Sequence, residues 1–243
     1  MSKPERIVGR IPVLECLRVR KRRPRRLYCQ AQARGLERLL DAAEDVPVET
    51  RSAAELDQLA GGVVHQGVVL DADPLPLYRP EDWSQGSLPA DAVVVLLDGV
   101  EDPHNFGAIV RSAAAWGALA VVFGKDRAAP ISPASLKSAA GAMEHIDLLQ
   151  ATNLVRGIDA FKKVGFWVSA LEDSAPQDIW AADLRGRVVL VVGSEGEGIR
   201  RLVREHCDSH LRIPLPGPIK TLNASVSAAI ALAECTRQRK REV

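Results

Sequence analysis

The sequence predicts an α/β protein built in two parts, and three features carry that expectation. Strand-sized apolar runs alternate with segments of helical apolar spacing along nearly the whole chain. In the second half, runs such as "AVVVLL" and "VVLVVG" are continuously apolar, the pattern of a parallel sheet covered by helices on both faces. Between the halves, residues 72–90 ("ADPLPLYRPEDWSQGSLPA") hold four prolines and no sustained periodicity, which reads as a linker. The expected domains are therefore residues 1–71 and 91–243.

In the first part, "IPVLECLR" is an amphipathic turn or two, "RLYC" a strand and "GLERLLDAAE" a helix by its apolar spacing. "VPVET" is strand-like. "SAAELDQLA" opens with Ser52 and carries Glu55 three residues on, a capping box. "HQGVVL" closes the part as a strand. The expectation is a small α/β/α module.

In the second part, "AVVVLL" is a buried strand and "NFGAIVRSAAAWG" a helix that Gly117 closes, with Asp102 before Pro103 as its start and Asn105 as an alternative cap. "LAVVF" is a strand, and Ser132 before Pro133 opens a helix over "SPASLKSAAGAM". "HIDLL" is a short strand. The helix of "NLVRGIDAFKKVG" runs from Asn153 to Gly165. "FWVSAL" and "VVLVVG" are strands, "IRRLVREHC" a helix, "HLRIPL" a strand and "NASVSAAIALAECTRQRK" a long final helix. Such sheets bind ligands at the carboxyl ends of their strands.

Composition excludes several classes. The chain is 47% hydrophobic and 26% charged, enough for a core and for solubility. No apolar run approaches the roughly 20 residues that cross a bilayer. The N-terminal charges are not followed by a signal-peptide apolar region. Cys16, Cys29, Cys207 and Cys235 lack CxxC spacing, which fits a reducing cytoplasm and neither a disulfide framework nor a zinc knuckle. His206, Cys207 and His210 lie close together, but the end of a helix accounts for them, and no metal is expected.

Net charge is +1 but unevenly spread. The first 30 residues hold ten Lys and Arg, from Lys3 and Arg6 through Arg26, against Glu5 and Glu15. The densest stretch is "RVRKRRPRR". Either it is a solvated basic loop, or Arg10, Arg18, Arg20, Lys21, Arg22, Arg23 and Arg25 contact a nucleic-acid backbone, where arginine suits bidentate phosphate contacts.

Three loops at strand ends carry the remaining signal. In "LLDGVEDPHNFGAIVRS", Gly107 permits a close backbone approach and Arg111 lies one to two turns into the helix. The glycines of "VGSEGEGI" match neither the Walker nor the dinucleotide fingerprint. Glu195 and Glu197 would repel a desolvated pyrophosphate. A phosphate-free nucleoside with a positive centre is compatible, and S-adenosylmethionine is such a ligand; either glutamate alternatively faces solvent or caps the next helix. In "RIPLPGPIKTLNASVSAAIALAE", prolines stiffen the loop, and Thr221, Asn223 and Ser225 crowd a helix start that needs only one cap.

In order, "NFGAIVR" (NxGxxxR), "VGSEGEGI" and "IPLPGPIKTLNASVSAAI" resemble the SpoU/TrmH class of SPOUT RNA methyltransferases. "VGRIPVLECLR" and "HQGVV" stand where the large-subunit (23S) ribosomal RNA guanosine 2′-O-methyltransferases have a substrate-binding module similar to an L30e fold. The likeness covers nearly the whole chain.

The resemblance implies a parallel-sheet SPOUT domain with a deep trefoil knot, a homodimer with the site near its interface, and S-adenosylmethionine as methyl donor. It also implies an RNA substrate, methylated on the ribose 2′-hydroxyl of a guanosine in large-subunit rRNA. Alternatives are a tRNA target, or an RNA-binding or assembly protein of the same fold without catalysis. By position, Asn105 and Arg111 act on the RNA, Glu195 is the acidic residue near the site, and Asn223 is the asparagine of the third motif. Gly193, Ile213 and Leu222 fall where backbone groups hold the donor, with Thr221 and Gly198 beside them. The third motif reads TLNASV instead of the usual SLNVSV, so Thr221 keeps the hydroxyl and Ala224 is smaller. Lys220 is less usual beside the site and is a candidate for RNA phosphate. Because arginine stays protonated, Arg111 is expected to grip phosphate and stabilise a developing alkoxide, with the proton leaving through water or Glu195.

Overall fold

The structure is a computed structural model that describes residues 4–31, 33–126, 128–129 and 131–239. Lys3 of the basic segment and Lys240 of the final expected helix lie outside them. The described residues form two sheets.

The first domain runs β1 (Glu5–Val8), α1 (Arg10–Val19), β2 (Pro24–Gln30), α2 (Glu37–Ala42), β3 (Val48–Arg51), α3 (Ala53–Ala60) and β4 (Val68–Ala72). Its sheet has the order β1-β4-β2-β3, with only β2 and β3 parallel. Side-chain alternation sends Ile7, Val68 and Leu70 to α1 and α2, and Val8 and Val69 to α3. The sequence reading lacks β1, a four-residue edge strand that exists through pairing with β4, some sixty residues away. The Ser52–Glu55 capping box is present.

The second domain contributes β5 (Leu77–Tyr78), α4 (Pro80–Trp83), β6 (Val93–Asp98), α5 (Pro103–Ala115), β7 (Ala120–Gly124), α6 (Pro133–Ala139), β8 (Asp147–Ala151), α7 (Leu154–Lys163), β9 (Trp167–Leu171), β10 (Gln177–Asp178), β11 (Val188–Gly193), α8 (Arg201–Glu205), β12 (Ser209–Arg212) and α9 (Ala224–Arg239). The eight strands lie in the order β10-β12-β9-β11-β6-β7-β8-β5. Every pairing is parallel. The apolar strands read as continuous because both faces are buried. Val93, Val95 and Leu97 face the core under α5, α6 and α9, while Val94 and Leu96 face that under α7 and α8. The caps fall where the residues place them: Asp102 accepts from the His104 amide, Ser132 from Ser135 and Asn153 from Arg156. Asn105, the alternative cap, is inside α5.

Residues 72–90 depart from the expected linker. β5 adds to the sheet edge beside β8, and the Trp83 ring packs edge-on to Phe161 at 6.2 Å while its indole N–H donates to Asp147. A two-residue strand and a one-turn helix are too short to show a period, so the segment reads as unstructured though it is packed.

The basic stretch is also corrected. Arg22 is not a surface residue: its side chain is 1% exposed, and its guanidinium holds Glu144 at 2.7 Å and pairs with Glu5. Lys21 donates to the Ile146 carbonyl and to Asp147. Both span the two domains, as does the pair of Glu15 with His145 at 2.8 Å. Arg20 is bound to Asp45 and Arg25 to Asp73. Arg10 donates to the carbonyls of Gln66 and Arg34. Only Arg18 and Arg23 of the seven expected RNA contacts are exposed with no side-chain partner among the described residues.

Candidate active site

The carboxyl ends of β6, β11 and β12 carry the three motif loops. The Asn105 side chain, at the start of α5, donates to Glu195 Oε1 at 2.8 Å. Asn223, at the head of α9, donates to Asn105 Oδ1 at 2.9 Å and also to Glu195 Oε1. Its own Oδ1 accepts from the Ser225 amide at 2.9 Å and from the Ser225 hydroxyl, so one side chain both caps α9 and joins the cluster. Asn105 and Glu195 are ninety positions apart in sequence, so this cluster exists only in the fold.

The glycines of the second loop have a steric reason. A Cβ on Gly193 would lie 2.3 Å from the Gly198 carbonyl carbon, because Ser194 and Gly198 close a tight turn with reciprocal amide–carbonyl bonds of 3.1 Å. That turn aims Glu195 back at α5. The close approach foreseen at Gly107 is to α6: a Cβ there would meet the Ser135 carbonyl oxygen at 2.5 Å.

Two clefts flank the cluster. One, of about 520 Å³, is bordered by Gly193, Gly198, Ile213, Thr221 and Leu222, which brings together all five residues expected to hold a donor. The other, of about 510 Å³, lies over the ends of β11 and β6 and includes Asn105, Glu195 and Asp102. Both fall in the range of small-ligand sites. The first also takes in Glu172, Asp173 and Glu197; Glu172 is itself held by Arg204 and His210. Lys220 turns inward to the Gly217 carbonyl at 2.8 Å.

Arg111 does not join the cluster. It is exposed and has no side-chain partner among the described residues. Six positions beyond Asn105, it lies about 9 Å further along α5 and roughly 120° round it. His206, Cys207 and His210 also diverge: His206 bonds the Leu202 carbonyl, Cys207 the Val203 carbonyl and His210 Glu172.

The sequence reading missed Asp98 and Arg200. Asp98 ends β6 with no exposed surface, and its carboxylate accepts from the Arg200 amide at 2.7 Å and its Nε at 2.6 Å. The signal was an acid closing an otherwise apolar strand, since a buried carboxylate needs a partner.

Fold and site together define a two-domain α/β protein with a carboxylate–amide cluster and a nucleoside-sized cleft at the carboxyl rim of a parallel sheet. The chain belongs to the SpoU rRNA Methylase family, whose model matches residues 92–233; a model for RNA 2′-O ribose methyltransferase substrate binding matches residues 6–78. It is 39% identical over 243 residues, 98% of both chains, to the 23S rRNA (guanosine-2′-O-)-methyltransferase RlmB of Ralstonia nicotianae. It is 40% identical to the protein of the same name from Xylella fastidiosa, over 83% of this chain and 84% of that one. The fold matches the SpoU methyltransferase AviRb from Streptomyces viridochromogenes, crystallised with AdoMet, at TM-score 0.81 and 22% identity over 98% of this chain and 91% of the other.

Proposed function

We propose that this chain transfers the methyl group of S-adenosylmethionine to the ribose 2′-hydroxyl of a guanosine in 23S rRNA. The single observation that carries this reading is the Asn105–Glu195–Asn223 cluster at the meeting of two clefts. Family membership across both domains supports it.

The donor cleft fits the molecule. It lacks a phosphate-binding loop, has carboxylates near its mouth that suit a cation, and is walled by Leu171, Leu211, Ile213, Leu215 and Leu222. Gly193, Gly198, Thr221, Ile213 and Leu222 are the residues that would hold the donor. When bound, S-adenosylmethionine supplies an electrophilic methyl on a sulfonium.

The chain's residues position the acceptor and manage one proton. Asn105 and Asn223 fix the Glu195 carboxylate at the boundary between the clefts. Glu195 holds or passes on the proton that leaves the ribose oxygen, directly or through water, a contribution of roughly a hundredfold to ten-thousandfold for a placed base. Arg111 grips an RNA phosphate as a fixed cation. Its exposure away from the cluster accords with a homodimer that places α5 near the subunit interface. Of the seven basic-segment residues expected at RNA, Arg18 and Arg23 are available; Arg34 and Arg38 of the same domain are also exposed with no side-chain partner among the described residues. Among the described residues no helix is long and apolar enough to cross a membrane; the reading puts the protein in the cytoplasm with its RNA.

The test is to incubate the protein with labelled methyl donor and unmodified 23S rRNA or tRNA, then map the modified ribose. A single modified guanosine in 23S rRNA is expected. Label only in tRNA, or in neither, refutes the reading.

A further inference from the structure

The carboxyl rim carries a third cleft that the reaction above leaves unused. It has about 510 Å³ and lies over the ends of β7 and β8, bounded by Gly124, Lys125, Thr152, Asn153, Arg200 and Arg201 among others. Among the described residues, Arg200 is the one that it shares with the cleft over the ends of β11 and β6, where the target nucleotide would sit. The sheet order β11-β6-β7-β8 sets the two clefts side by side, about two strand spacings or roughly 10 Å apart. Arg200 is thus the saddle between two cavities of nucleotide size.

Its side chain is held for that place. Asp98, without exposed surface, binds the Arg200 amide, Nε and Nη2 at 2.6–2.7 Å. The Arg200 side chain remains 40% exposed, and Nη1 has no partner among the described residues. A cation pinned by a buried carboxylate, with one edge left open, is pre-organised for an anion and loses little side-chain entropy on binding. Lys125 and Arg201 add positive charge to the far cleft against a single lining carboxylate, exposed Asp126, and the Arg201 side chain pairs with exposed Glu205.

We infer that this third cleft is a subsite for the RNA nucleotide next to the target, and that Arg200 binds the phosphodiester joining the two. The inference rests on the RNA methyltransferase reading. Single-stranded RNA with splayed bases is the form in which consecutive nucleotides occupy separate cavities. Asp98 is the positioning residue: it orients Arg200 and ties the second motif loop to the end of β6.

The test uses the full-length protein with Arg200→Gln, Arg200→Lys and the double variant Lys125→Ala/Arg201→Ala. RNA affinity is titrated over a salt series, and donor affinity is measured separately by calorimetry. Arg200→Gln is expected to weaken RNA about tenfold and to flatten the log Kd against log salt slope by about 0.7, one single-strand phosphate contact. Arg200→Lys should restore most of the slope. The double variant, which breaks no buried contact, should weaken RNA about threefold with the same sign of slope change. Donor affinity should stay within twofold throughout. An unchanged slope in Arg200→Gln and in the double variant overturns the subsite. So does a loss of donor affinity that parallels the loss of RNA affinity, which would make Arg200 a loop staple only. Because binding is read without turnover, the outcome stands apart from whether the wild-type protein methylates rRNA.

Discussion

Two regions of this molecule are dense in functional residues, and they behave in opposite ways. At the carboxyl rim of the large sheet, polar residues from three loops converge: Asn105, Glu195 and Asn223 share hydrogen bonds. In the basic segment, the cations disperse. Arg20 and Arg25 satisfy nearby acids, Lys21 and Arg22 tie the domains together, and of the seven expected RNA contacts only Arg18 and Arg23 are left without a side-chain partner among the described residues. Glycine and asparagine at defined offsets specify geometry, whereas a run of arginines specifies only charge. Where that charge goes is decided by the carboxylates that folding brings near it.

Experiments can break this contrast. The largest effect should come from Arg22→Ala, which leaves Glu144, 2% exposed, as an unpaired buried charge. Urea denaturation should show about 3–5 kcal/mol lost. The paired replacement Arg22→Met with Glu144→Leu should recover most of it. An Arg22→Ala protein of wild-type stability but weak RNA binding would reverse the assignment and return Arg22 to the RNA surface.

Glu195→Ala comes next. Removing the acceptor that both asparagines share should lower single-turnover methylation by roughly a hundredfold or more, with donor affinity changed only a few-fold. Turnover near that of the wild type would separate the cluster from the chemistry.

Smaller effects should come from the exposed arginines. Arg18→Ala with Arg23→Ala should weaken RNA a few-fold and flatten its salt slope by about 1.4, two single-strand contacts of about 0.7 each. Arg20→Ala should leave the slope nearly unchanged, because, unlike Arg200, all three of its guanidinium nitrogens are already taken, by the Leu17 and Ala42 carbonyls and by Asp45. Equal slopes for the two proteins would mean that ion pairing does not withdraw these cations from RNA.

The smallest effect concerns the thiols. Burial pushes the Cys16 and Cys207 thiols up to about 12. Few thiolates therefore exist at pH 8, and iodoacetamide should label the folded protein slowly and the urea-unfolded chain quickly, with methylation unaffected by mild treatment. Rapid labelling of the native protein would show that these segments open.

Much of the fold was readable because its signals are local. The caps at Asp102, Ser132 and Asn153 and the Ser52–Glu55 box depend on atoms within three residues. The strands missed, β1, β5 and β10, span two to four residues and are held by partners distant in sequence. α8 is one turn long because the loop after Gly198 continues to Arg200, where Asp98 captures both backbone and side chain.

By itself, then, the sequence determined the alternation of elements, the two-part division and the residue types of the three motif loops, since propensity, period and capping act over a few bonds. The tertiary structure alone decided which polar groups meet and which charges are spent: that Glu195 faces two asparagines, that Arg22 is buried and Arg18 is not, and that Arg200 stands between two clefts. Pairing energies between groups a hundred residues apart depend on distance and burial, and neither quantity exists until the chain has folded.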